Sequence, residues 1–253
     1  MKKRTTAIAT IFSLFLIQEA WAADGFRMSV GLDYSSGKYG SSNSTDIWST
    51  SLGGRYKTGR WTIKGSLPYI QLKGSGATGP DGVPLSGGAG QKTERGLGDL
   101  QLSVANLVYY DVAAAQGVSV KAKVKVPTAS RAKGLGTGKA DVSLQLDPFK
   151  VVGKVTFFGT VGYKVYGDPS ATDYRNVWYG HAGAMYKSSK DTDVGFSASM
   201  REKVTATSVA RKNLSLFAVK QWDKKNKLQA YFLKGFSRST ADVGAGLLWM
   251  HSY

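Results

Sequence analysis

Three lysines at every second position, Lys121, Lys123 and Lys125, preceded on the same parity by Ser119, are the polar set with the clearest chemical meaning in this 253-residue chain. In an extended strand alternate side chains share a face, so these ammonium groups stand ~6.6–6.8 Å apart. That is inside the ~8 Å Debye length at physiological salt, and their potentials add. Such a comb concentrates anions. The intervening residues Val118, Val120, Ala122, Val124 and Val126 are apolar. If they face lipid, the lysines point into a lumen, because a mid-bilayer Lys on the lipid face costs about 2–4 kcal/mol. The same parity argument places Arg55, Lys64, Lys139, Lys154, Lys164 and Arg201 on lumen faces, together with Asp99, Asp141, Asp147 and Asp193. Folding the chain about the connection near Lys133 brings Lys125 opposite Asp141, so cross-strand pairing neutralises part of the comb. Two interiors fit this pattern: a basic, water-filled passage and a salt-bridged, largely plugged one.

Other chemistry is weakly represented. The two histidines are His181 and His251 and there is no cysteine, which removes disulfides, Cys-based zinc and thiol nucleophiles. His181 has no nucleophile-elbow motif beside it. His251 precedes Ser252, but neighbours on a strand point to opposite faces and do not pair. Both histidines read as interfacial side chains, and neither a catalytic residue nor a cofactor or metal site is expected. Gly74-Ser75-Gly76-Ala77-Thr78-Gly79 matches G-x-G-x-x-G but leads into Pro80-Asp81-Gly82, not a helix. Gly88-Ala89-Gly90-Gln91-Lys92-Thr93 resembles a phosphate-binding loop whose spacing Gln91 spoils. The run 71–98 reads instead as a long external loop that folds into a barrel mouth.

What must position the lysine comb is a set of strands. Twelve stretches alternate apolar and polar residues, from Phe26, Met28, Val30, Leu32, Tyr34 to Val243, Ala245, Leu247, Trp249, His251, Tyr253. Short and long connections alternate between them, with Lys57-Thr58-Gly59 as an early tight turn. Tyr and Trp recur near strand ends, as in the aromatic girdles of membrane barrels. The eighth stretch, about 175–187, is ambiguous, because Trp178, Ala182, Tyr186 and Val177, Tyr179, Met185 are both apolar sets. A closed barrel is the form in which strands cross a bilayer without an unpaired edge. The expected fold is therefore all-β, a transmembrane antiparallel barrel of about twelve strands in up-and-down order. A soluble β-sandwich with core aromatics is the alternative.

The first residues read as an export leader: Lys2, Lys3 and Arg4, an apolar stretch from Ala7 to Ile17, and an A-x-A site at Ala20-Trp21-Ala22. Residues 1–22 are thus expected to be a signal peptide and 23–253 the barrel. The apolar stretch is shorter than the ~20 residues of a spanning helix. The leader carries Lys2, Lys3, Arg4 and Glu19, so its removal takes the formal charge from +17 to +15. Export makes nucleic acid an unexpected partner despite that charge. Expected partners are outer-membrane lipid, small-molecule solutes and the outer-membrane assembly machinery, which would read the aromatic terminal strand.

Arg95-Gly96-Leu97-Gly98-Asp99-Leu100, Val126-Pro127-Thr128, Gly134-Leu135-Gly136-Thr137-Gly138 with Asp141, and Leu67-Pro68-Tyr69 carry a family likeness. On these motifs the chain resembles the outer-membrane transporters of the meta-pathway of phenol degradation. The likeness is close over 67–146 and is barrel pattern elsewhere, and Ala129 departs from the Gly usual after Pro-Thr. It implies uptake across the Gram-negative outer membrane, with aromatic compounds as the cargo class. Joined to the basic comb, the expectation is a passive channel for small solutes, favouring anionic or aromatic-acid substrates. An outer-membrane enzyme acting on lipids and a closed barrel serving as anchor or adhesin are the alternatives.

Overall fold

The computed structural model describes residues 24–39, 43–74, 92–167 and 173–253; the expected leader, 1–22, lies outside them. The strands are β1 Gly25–Gly37, β2 Thr45–Thr58, β3 Trp61–Gly74, β4 Lys92–Leu97, β5 Leu100–Asp111, β6 Gln116–Val126, β7 Asp141–Val152, β8 Val155–Val165, β9 Val177–Lys187, β10 Thr192–Arg201, β11 Arg211–Gln221, β12 Asn226–Gly235 and β13 Val243–Ser252. Every pairing is antiparallel, and all join chain neighbours except β3 with β5 and the closure of β1 on β13. β4 and β5 both pair with β3, at Tyr69–Gly74 and Trp61–Ser66 respectively, and so form two halves of one stave. The result is a closed twelve-stave barrel.

The split stave has a local cause. Pro68 of β3 has no N–H to give to the ladder. Its carbonyl instead accepts from Gly98 N–H at 2.8 Å. A Cβ at Gly98 would stand 2.5 Å from Ile70 Cδ1 and 2.8 Å from Pro68 Cγ. The kink turns Asp99 inward. β4 and the end of β3 correct the expected loop over 71–98, since Gln71–Gly74 and Lys92–Leu97 are strand; residues 75–91, with most of both glycine motifs, fall outside the described residues.

Period-two patterning sorts the side chains into two shells. Val30, Leu32, Leu52, Ile63, Leu102, Val142, Leu144, Val161, Phe196, Leu216, Phe232 and Leu247 are exposed outward. An apolar girth of this kind is solvated by lipid and excludes the soluble sandwich. Tyr34 stacks beside Trp48 (centroids 4.8 Å) and Tyr163 beside Trp178 (5.1 Å) toward the rim of the long connections. Phe26 and Tyr253 (5.8 Å) mark the rim where the chain begins and ends its barrel. By the even number of staves, this second rim is periplasmic.

The ambiguous stretch is resolved by register. Trp178, Ala182 and Tyr186 are exposed outward, while Val177, Tyr179, His181 and Met185 face in. His181 therefore corrects the interfacial expectation: its ring lies 6.0 Å from Phe158 inside the barrel. His251 does sit on the outer face, between the rings of Trp249 and Tyr253, with Nδ1 2.9 Å from Asn226 Oδ1.

Candidate functional site

The inward positions enclose a cavity of about 350 Å³, lined by nine Lys and Arg side chains and three Asp. That volume is in the range of small-molecule clefts. Of the residues expected to line it, Arg55, Lys64, Lys121, Lys123, Lys125, Lys164, Arg201, Asp99 and Asp141 do so. Lys139 and Lys154 do not. Lys139 is exposed in the β6–β7 connection and Lys154 in the β7–β8 turn, both just past the strand ends where alternation ceases to fix facing. Arg27 and Arg211, missing from the expected set, join the wall.

The lysine comb is divided by its partners. Lys121 pairs with Asp147 at 3.0 Å, and Asp147 also accepts from Gln145 Nε2 at 2.5 Å and from the Thr160 hydroxyl. Lys125 is 3% exposed and pairs with Asp99 at 3.1 Å and Asp141 at 3.2 Å, and donates to Thr137 Oγ1 at 2.9 Å. Asp141 is in turn shared with Lys164 at 2.9 Å. Lys123 faces an aromatic group instead, its Nζ 5.3 Å from the Tyr179 ring centroid. Lys121 and Lys125 are thus largely compensated, whereas Lys123 presents its charge to the lumen.

The Lys125 knot gathers the motifs noted in the sequence. Asp99 accepts from Ala129 N–H (3.0 Å), and Thr128 Oγ1 donates to Gly98 O (2.8 Å) while accepting from Leu100 N–H (2.9 Å). A Cβ at Gly136 would lie 2.9 Å from the Asp99 oxygens. Together these contacts fold the β6–β7 connection inward. It places Leu135, fully buried, among Tyr39, Ile47, Ile70, Leu72, Leu233 and Ala241, an apolar cluster at the external end of the interior. Beyond the bilayer the shells invert, with Gln71 and Lys73 outward and Ile70 and Leu72 inward.

One register row collects the cations. Arg27 pairs with Arg55, Arg55 with Lys64, Lys64 with Ser103, Ser103 with Lys123, Lys123 with Ser143 and Ser143 with Lys164. Strands in such barrels tilt about 35–45° and lie ~4.8 Å apart, so a row of six steps climbs roughly 18 Å along the axis. Five cations and two serines therefore form a spiral from the periplasmic rim to the external third.

Across from β1–β3 the wall is apolar, with Phe158, Met185, Phe217 and Val219, and Leu248 and Met250 on β13 continue it beside β1. Inward-facing rings here each stand opposite a glycine in register. Phe158 pairs with Gly183, Phe217 with Gly195, Tyr231 with Gly246 and Tyr179 with Gly162. A Cβ at Gly183, Gly195 or Gly162 would stand 2.5 Å from the facing ring. The aromatic surface thus lines the lumen without filling it.

Comparison with solved structures returns barrels of this shape. The KdgM porin in complex with disordered oligogalacturonate superposes with a TM-score of 0.58 at 8% identity, covering 89% of this chain and 99% of that one. The NanC porin gives the same values. The P. putida toluene transporter TodX gives 0.51 at 10% identity, covering 98% and 96%. At such identities the likeness concerns the fold. No curated protein matches the sequence. Residues 18–249 match the model of the family described as the putative MetA-pathway of phenol degradation, and the chain, an outer-membrane β-barrel, belongs to that family.

Proposed function

We propose that the protein is a passive outer-membrane channel for small anionic solutes, aromatic acids among them. The spiral of Arg27, Arg55, Lys64, Lys123 and Lys164 carries this reading. Adjacent strands set its steps at ~5 Å where cations are neighbours and ~10 Å where a serine intervenes, near the ~8 Å Debye length, so an anion passes from one cation to the next without leaving a positive potential. The serines supply hydroxyl donors between the charges. The apolar wall of Phe158, Met185 and Phe217 gives an aromatic ring a surface to slide along while its carboxylate follows the cations. The family description and the barrel likeness to a toluene transporter are compatible with aromatic cargo.

The test is conductance of purified protein in planar bilayers. Discrete steps of chloride current, reduced reversibly by benzoate and not by the neutral benzyl alcohol, are expected. Steps equally sensitive to both compounds would remove the anionic part of the reading. Absence of steps from folded protein would favour the closed barrel.

A further inference from the structure

The least compensated cation of the spiral is Arg55. It is 7% exposed, and its Nε and Nη2 are buried with no hydrogen-bond partner among the described residues. Buried donors are almost always satisfied, so two orphaned donors on one guanidinium require an explanation. Nε–H and Nη2–H are the side-on fork of arginine, two parallel donors whose spacing matches the two oxygens of a carboxylate. The surroundings do not fill that role. Asp24, whose charge reaches Arg55, spends Oδ2 on Gly59 N–H at 2.8 Å.

Other cations crowd the same place. Arg27 is the direct cross-strand partner of Arg55 on one side and Lys64 on the other. Arg27 gives its Nε to Ser252 Oγ at 3.1 Å. Lys227 on β12 is repelled by both arginines, with Asp193 as its opposing charge. Like charges directly opposite on neighbouring strands destabilise a sheet. A bound anion reverses that cost, and Arg27, Arg55 and Lys64 all line the cavity from which one would enter.

We propose that Arg55, flanked by Arg27, is a carboxylate-binding site at the periplasmic end of the lumen, where the solute pauses before release. Resting on the reading of the lumen as an anion passage, it adds to that reading a discrete station with bidentate geometry. No comparable fork is needed at Lys123, where a single ammonium acts as a point charge.

The experiment is isothermal titration of the folded barrel in detergent micelles with benzoate, and with benzyl alcohol as the neutral control. Wild type is expected to bind benzoate saturably and benzyl alcohol at least tenfold more weakly. Arg55→Gln should weaken benzoate at least tenfold. Arg55→Lys, which keeps the charge but loses the fork, should weaken it at least threefold and serves alone if the Gln variant does not fold. Unchanged benzoate affinity in a folded Arg55 variant, or equal affinity of wild type for the two compounds, overturns the site. Anion-selective conductance with unchanged Arg55→Lys affinity rejects the station and leaves the channel; loss of anion selectivity in wild type rejects the channel itself.

Discussion

Replacing Lys125 by Met should loosen the β6–β7 connection and destabilise the barrel, and the structure sets the size of the effect. The side chain is 3% exposed and holds Asp99 at 3.1 Å, Asp141 at 3.2 Å and Thr137 at 2.9 Å. Methionine fills a similar volume but leaves Asp99, itself 7% exposed, without this ion pair. Removing one partner of a buried pair typically costs about 3–5 kcal/mol. Lys164 still holds Asp141 at 2.9 Å, so the lower end, about 3 kcal/mol, is expected. Urea unfolding of the barrel in lipid vesicles, followed by tryptophan fluorescence, measures it as a shift in midpoint at constant slope. Trypsin should also cut the folded variant after Arg131 or Lys133, exposed residues of the connection that the knot tethers. Adding Asp99→Asn should recover part of the loss, since the coupling of contacting groups is typically 0.5–3 kcal/mol. A midpoint shift worth less than ~1 kcal/mol, with no new cleavage, would refute the role given to the knot.

The glycine–aromatic pairing predicts that Gly195→Val, whose new Cβ would meet the Phe217 ring, drives that ring into the lumen and at least halves single-channel conductance, while Ala198→Val on the outer face leaves it unchanged. Deleting Trp249–Tyr253 removes the outward aromatic end of β13 and the Arg27–Ser252 pairing that closes the barrel, so heat-modifiable folded protein should vanish from the outer membrane; normal recovery would contradict the closure argument.

The staves were legible because lipid outside and water inside impose a period of two on every strand. Facing was lost where that contrast fails. Val177, Tyr179 and Met185 of β9 mimic a lipid face because the opposite wall of the lumen is itself apolar. Glycines at lumen parity on the flanking strands, Gly162 against Tyr179 and Gly195 against Met185, are the signal that separates the two faces. β4 is hidden in the sequence for a related reason: past Pro68 the interior is apolar and the outside polar, the reverse of the membrane girth. Strand parity does not extend to Lys139 and Lys154, which lie in connections. The Lys125–Asp141 pairing was readable from strand spacing, and the structure has it in register. Asp99 in the same knot was not, because its approach depends on the kink at Gly98. The Arg55 fork was invisible in sequence, since the row that joins it to Arg27 and Lys64 exists only once register is fixed across three strands.

The central claim, an anion-favouring lumen set by the cation spiral, is tested most directly by reversal potential under a potassium chloride gradient across a planar bilayer. Wild type should prefer chloride, and Lys123→Glu, which inverts the charge facing Tyr179 near the middle of the spiral, should shift the potential toward potassium. A potassium-preferring wild type, or a folded Lys123→Glu channel with unchanged reversal potential, would contradict the account.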